Sequence, residues 1–178
     1  VLQSAKATRV LAAEDFQIGM LATARQPDEM VTAVRFPVRK PGAGYAFAEM
    51  AQRHGDFAIC AVAAVVSGTS VRLGVGGVAE KPAVRDWPTL AAGEVDDALN
   101  DFAWELGGSD DIHANAGYRR DLVRNLGRRV IEEAPQQVAR MTDVDARSRM
   151  RMPQHVHARG CGRAPAHIEF TQTRGLGP

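Results

Sequence analysis

Residues 42–68 read GAGYAFAEMAQRHGDFAICAVAAVVSG, and the reading of this stretch decides the fold. Its second half, Phe57 to Val66, contains only Phe, Ala, Ile, Cys and Val. That is too short for a bilayer span, which needs about 20 apolar residues. Bounded by Gly55-Asp56 and by Ser67-Gly68-Thr69-Ser70, the run is predicted to be a strand buried on both faces. Arg53-His54-Gly55-Asp56 is polar and turn-prone, at the mouth of that strand. A turn fixed to a rigid core strand is a common way to hold a ligand-binding group.

Working outward, Tyr45–Met50 fits either a strand or one helical turn, and a strand is favoured. Val71–Val78 returns as an antiparallel partner of the apolar run, and Lys81-Pro82 with Asp86-Trp87-Pro88 marks a loop. Upstream, Thr8–Met20 reads as a loop and a short helix with Asp15 as its cap. Met30, Thr32, Val34 and Phe36 then alternate along a strand that Pro37 ends. Downstream the period becomes helical: Val95, Leu99, Phe102 and Leu106 form one stripe, and Gly107-Gly108 ends it. Ser109–Asn115 offers N-caps for a last helix with Tyr118, Leu122, Leu126 and Val130 on one face. Arg119, Arg120, Arg124, Arg128 and Arg129 populate the rest of that helix, as a solvated face or one docking on an acidic partner, and Pro135 closes it. The fold class is α+β: a three-stranded antiparallel sheet followed by a small helical bundle, with a poorly structured C-terminal tail. The expected divisions are 1–37, 38–135 and 136–178.

Composition narrows the function. The 178 residues are 45% apolar and 24% charged with a formal charge of +1, which favours neither nucleic acid nor a membrane surface. Charge is uneven: Val1–Pro135 holds 15 Lys/Arg against 18 Asp/Glu, whereas Gln136–Pro178 holds 7 against 3, a basic tail with little apolar periodicity. Two cysteines, Cys60 in the apolar run and Cys161 in the tail, do not make a disulfide framework and fit a reducing cytoplasm. The opening VLQSAKATRVLAAEDF has no Met and no apolar signal core, and reads as the middle of a longer protein.

Several tempting motifs have plainer explanations. Leu73-Gly-Val-Gly-Gly-Val-Ala79 contains GxGxxA, but a dinucleotide site needs those glycines to open a helix, and Lys81-Pro82 follows. Glycines that let a strand approach its neighbours are the better reading. His155, His157, Cys161 and His167 match no standard zinc spacing. Cys60 reads as a small buried hydrophobe, and Asp96-Asp97 and Asp110-Asp111 as carboxylates at helix starts. No residue is singled out as catalytic or as a metal ligand. Phe47, Glu49, Arg53 and Asp56 remain: Phe47 could cover a planar apolar ligand, and Glu49 or Asp56 could accept hydrogen bonds from ribose or ring N–H groups. From spacing alone, a capped turn beside a core Phe is favoured over a site.

The segment Tyr45–Ala64, with its ARRHGDFA-like centre, resembles the signature of the FAD-binding medium subunit of molybdenum hydroxylases, the carbon monoxide dehydrogenase and xanthine dehydrogenase family. Ala13-Glu-Asp-Phe16 with Gly19, Asp28-Glu29 with Phe36-Pro37, Gly77-Val-Ala79 with Pro82, and Ser109–Arg120 resemble further family segments in the same order. The resemblance runs from about Val1 to Ala134. It implies that 1–37 is the end of the FAD-binding domain and 38–135 the medium subunit's C-terminal domain. It also implies a chain of carriers. A large subunit oxidises substrate at a molybdenum cofactor, a small subunit relays electrons through 2Fe-2S clusters, and the FAD of the medium subunit passes them to an acceptor. Phe47 is implied to lie near the flavin, as in some members, with the Asp56 region in the same cleft; a lysine seen nearby in some relatives is absent here, where Ala48 and Glu49 stand. The family also grips FAD with glycine-rich loops resembling AGGQS and TIGG, and neither string occurs in these residues. A chain starting at Val1 is therefore expected to bind FAD weakly or not at all. The rival expectation is an assembly module, docking on partner subunits with a vestigial flavin cleft.

Overall fold

The structure, a computed structural model, describes residues 1–53, 55–148 and 167–171, with side chains through Val138. The His155–Cys161 part of the tail cluster lies outside the described residues, and so does the His54 position of the central turn. Two compact units divide after Lys40.

The first unit contains β1 (Leu2–Gln3), β2 (Thr8–Arg9), α1 (Ala13–Phe16), β3 (Gln17–Gly19), β4 (Ala22–Thr23), β5 (Met30–Val31) and β6 (Ala33–Pro37). Strand β1 is central, pairing antiparallel with β2 and β5, and Leu2 is its buried residue. A later strand, His167–Thr171, lies parallel to β6. The expected cap of α1 is misplaced. The Asp15 N–H already donates to Ala12 O at 3.2 Å, so Asp15 sits inside the helix and Ala12, with no side-chain bond, occupies the N-cap. Arg9 fixes the β2 side of this unit by donating from Nε and Nη2 to Glu29 at 2.6 and 2.8 Å. Those bonds, with one from the Gln26 N–H, pull the Glu29 carboxyl down to about 2.

The second unit, Pro41–Arg147, is a sheet with helices on one face. Its strands are β7 (Gly44–Ala51), β8 (Ala58–Val66), β9 (Ser70–Gly76) and β10 (Ala83–Pro88), in the order β10-β9-β8-β7, all antiparallel. The sheet thus has four strands, not three. The expected loop at Asp86-Trp87-Pro88 is β10, in which Ala83, Arg85 and Trp87 turn inward and Val84, Asp86 and Pro88 outward. Pro is tolerated because β10 is an edge strand and Pro88 its last residue.

Helices α2 (Val95–Leu106) and α3 (Ala116–Ser148) cover the inner face. Val95, Leu99, Phe102 and Ala103 of α2 are buried, and Trp87 meets Phe102 edge-on at 5.7 Å. Gly107 (φ +71°) ends α2, and Asn115 Oδ1 accepts the Tyr118 N–H at 2.8 Å to start α3, as the sequence pattern leads one to expect. Two features of α3 differ. Its buried stripe begins at Arg119 and continues through Leu122, Val123, Leu126 and Val130, while Tyr118 is 44% exposed. The spacing 119, 122, 123, 126, 130 follows the helical period as well as one starting from Tyr118 does, and it carries an arginine into the interior. The helix also passes through Pro135 to Ser148. Proline removes one i→i−4 bond, a local loss that the helix-forming residues on either side outweigh, and Gln136 Nε2 donates to Glu132 O nearby.

The apolar run is buried on one face, not two. Cys60, Val62 and Ala64 point into the core, whereas Ala63 is exposed and Phe57, just before the strand, is 100% exposed. Helices cover only the inner face, so the outer positions of β8 need to be small rather than buried.

Candidate functional site

The sheet's outer face is where the candidates gather. Alternation along β7 sends Gly44, Ala46 and Ala48 inward and Tyr45, Phe47 and Glu49 outward. Phe47 is 61% exposed, so the reading of it as a core side chain is overturned. Tyr45, two residues before it on the same face, is 36% exposed, so the two aromatics leave apolar surface on this side of the sheet.

Register explains what surrounds it. Phe47 lies opposite Ala63, Ala63 opposite Gly74, and Gly74 opposite Val84. One step along, Glu49 lies opposite Ala61, and Ala61 opposite Gly76. Ala and Gly raise almost nothing above the sheet, so Phe47 and Val84 flank a shallow apolar floor. Three strand spacings set its width at about 14 Å. At the far end the Arg72 guanidinium grips Asp86 at 2.6 and 2.8 Å and holds that carboxyl below its ordinary range. The glycines of the GxGxxA string therefore flatten a strand, the plainer reading given above.

Asp56 is elsewhere, in the turn joining β7 to β8. Its N–H donates to Arg53 O at 3.1 Å, and its carboxylate lies 3.8 Å from Arg53 Nε. Gly55 takes φ +89° to close the turn. The structure thus puts Phe47 and Glu49 on one face and Asp56 on the turn beyond the end of their strand. Cys60 is fully buried, and desolvation pushes its thiol up to about 11, so it is packing rather than chemistry.

Sequence reasoning missed Arg119. Its side chain is 5% exposed, and its guanidinium donates to Ile59 O, Gly77 O, Ser109 O and Asp111. The available signal was the helical phase. Exposed Trp104, with the Arg120 guanidinium 4.2 Å from its ring centroid, is a second feature of the arginine-rich helix. Arg124 and Arg128 are paired within the unit, with Asp121 and with Asp96 and Glu132, so this face is largely self-neutralised. An apolar hollow in the first unit, lined by Leu2, Val10, Phe16, Val31 and Val34 among others, contains none of the candidates. Among the described residues no cluster of three or more His, Cys, Asp or Glu could hold a metal, and no helix is long and apolar enough to cross a membrane.

These residues form a helix-backed antiparallel sheet whose outer face carries a flat apolar floor and two exposed aromatics, Tyr45 and Phe47. Residues 45–134 match the family described as the CO dehydrogenase flavoprotein C-terminal domain, and the chain belongs to that family. It is 35% identical over 147 residues to the nicotine 6-hydroxylase medium subunit of Paenarthrobacter nicotinovorans, covering 75% of this chain and 50% of that protein. It is 30% identical over 145 residues to the carbon monoxide dehydrogenase medium chain of Afipia carboxidovorans, with the same coverage. Among solved structures it resembles a Cu,Mo-CO dehydrogenase chain at 28% identity, with a TM-score of 0.68 over 76% of this chain and 51% of that one. Quinoline 2-oxidoreductase from Pseudomonas putida 86 shares the fold with a TM-score of 0.64 at 22% identity, covering 77% of this chain and 52% of that one. The chain spans about half the length of the curated relatives it matches.

Proposed function

We propose that this chain is part of an FAD-dependent electron-transfer subunit of a molybdopterin-containing hydroxylase or dehydrogenase. It works in the cytoplasm beside a large molybdopterin subunit and a small 2Fe-2S subunit. The observation that carries the reading is the exposed Phe47 on a floor of Ala61, Ala63, Gly74 and Gly76, within the family-matched residues. These residues fit a flavin: a planar apolar ring can lie against an aromatic side chain and a flat sheet, and Glu49 offers a carboxylate to ring or ribose donors on the same face. Bound here, a flavin would supply the redox chemistry, carrying electrons between the iron–sulfur subunit and an acceptor. The chain's own residues cover the ring, exclude water from one side, and hold an acceptor at its edge. Asp56 contributes from the neighbouring turn.

The visible spectrum of the purified chain, followed by titration with FAD, tests this. Phe47→Ala lowers whatever affinity is measured, whereas equal affinity for the variant and the parent refutes the role of Phe47. A complete lack of binding favours the second reading, an assembly module that docks on partner subunits with a vestigial flavin cleft.

A further inference from the structure

The β7–β8 ladder slips beside the turn that carries Arg53 and Asp56. Met50 lies opposite Cys60 while Ala51 lies opposite Ala58, so Ile59 is an extra residue without a partner on β7. On the other side, the β8–β9 register ends at Ala61 opposite Gly76, short of Ile59. Ile59 is a bulge, and a backbone carbonyl withdrawn from both ladders needs another donor. Arg119 Nη1 supplies it at 2.7 Å and donates also to Gly77 O at 2.5 Å. The two carbonyls converge because Gly77, at φ +81°, brings the end of β9 so close that a Cβ there would sit 2.8 Å from Ala58 O and 2.9 Å from Ile59 O. No other residue type fits that approach.

The other side of the same guanidinium reaches the loop before α3. Nε donates to Ser109 O at 3.1 Å and Nη2 to Asp111 Oδ2 at 2.5 Å. Asp111 Oδ1 accepts the N–H groups of His113 and Ala114 at 2.8 and 2.9 Å, which fixes the backbone at His113. His113 Nδ1 then donates to Gln52 Oε1 at 3.2 Å, the carbonyl oxygen leaving it only the donor role. Gln52 is the first residue after β7, and Ile59 the second of β8. One buried arginine thus holds both ends of the connection between these strands: Ile59 directly, and Gln52 through Asp111 and His113.

We propose that Arg119, Asp111 and His113 are positioning residues whose relay to Gln52 and Ile59 fixes the turn carrying Arg53 and Asp56. The relevance of this to a flavin rests on the function proposed above; the relay itself does not. A two-sided anchor suits a short exposed turn: among the described residues, the Arg53–Asp56 ion pair at 3.8 Å and one backbone bond at 3.1 Å are modest, exposed contacts.

Amide hydrogen exchange of the purified chain, followed by NMR, tests the relay at the Asp56 N–H. His113→Ala and Gln52→Ala, both at exposed positions, each raise its exchange rate about fivefold, the factor one ordinary hydrogen bond carries. The amides of β9 keep their parental rates. His113→Asn, whose side-chain N–H donates from nearly the same place, restores the parental rate at Asp56. Unchanged Asp56 exchange in both alanine variants overturns the proposal, and so does a His113→Asn variant that exchanges as fast as His113→Ala. The readout needs no flavin, so failure of FAD to bind counts against the proposed function and leaves the relay standing.

Discussion

Replacing Arg119 by Met keeps most of the side-chain volume and removes every donor. Three backbone carbonyls, of Ile59, Gly77 and Ser109, lose bonds of 2.7, 2.5 and 3.1 Å, and Asp111 loses its 2.5 Å bond. An unsatisfied buried acceptor costs about 1–3 kcal/mol. Against this, Met avoids desolvating a charge, worth several kcal/mol, so the losses do not simply add. Breaking one side of a buried ionic contact typically costs about 3–5 kcal/mol. The Asp111 side chain is 43% exposed and regains water, which places the expectation at the lower end, about 3 kcal/mol. For a unit the size of Pro41–Arg147, about 4 °C of Tm per kcal/mol gives a fall of roughly 12 °C. Both tryptophans, Trp87 and Trp104, lie in this unit, so urea unfolding followed by their fluorescence reads it directly. The midpoint falls with the m-value unchanged. A loss below about 1 kcal/mol would refute the reasoning, because it would mean that water satisfies these carbonyls as well as the guanidinium does.

Gly44→Ala separates β7 from α3. A Cβ at Gly44 would overlap Ala134 O and Ala134 C, both helix backbone, and overpacking of this kind costs about 3 kcal/mol. Urea unfolding measures it, and a variant as stable as the parent would mean that the strand and helix are not locked together. The Arg9–Glu29 contact makes the first unit acid-sensitive. The Glu29 carboxyl titrates near 2 when folded and near 4.5 when free, so its contribution is complete above about pH 4.5 and is lost as pH falls towards 2. Parent and Glu29→Gln chains therefore differ in urea midpoint at pH 7 and converge by pH 2; a constant difference across that range would contradict it.

Much of the architecture is local information and was legible. The apolar run, the alternation of β7, the stripe of α2 and the glycine stop at Gly107 each follow from steric and periodic rules acting over a few residues. The motifs around Arg53–Asp56 and Ser109–Arg120 carried the family. The fourth strand was not legible, because Asp86-Trp87-Pro88 is turn-like in isolation and becomes a strand only by pairing with Ser70–Arg72. Nor was the side of the sheet that stays open: a run of Ala, Val, Ile and Cys looks buried on both faces until the helices are seen to cover one.

The sequence by itself determined the α+β class, most of the elements, the family, and the naming of Phe47, Glu49 and Asp56 as candidates. Only the tertiary structure put Phe47 on an exposed floor, separated Asp56 from it, and turned Arg119 from a presumed surface charge into a buried anchor. The physical reason is one of range. Periodicity tells which residues share a face, but which face is covered, and which carbonyls are left without a partner, depends on strands and helices joined across 42 and 60 positions of chain, as Arg119 is to Gly77 and Ile59.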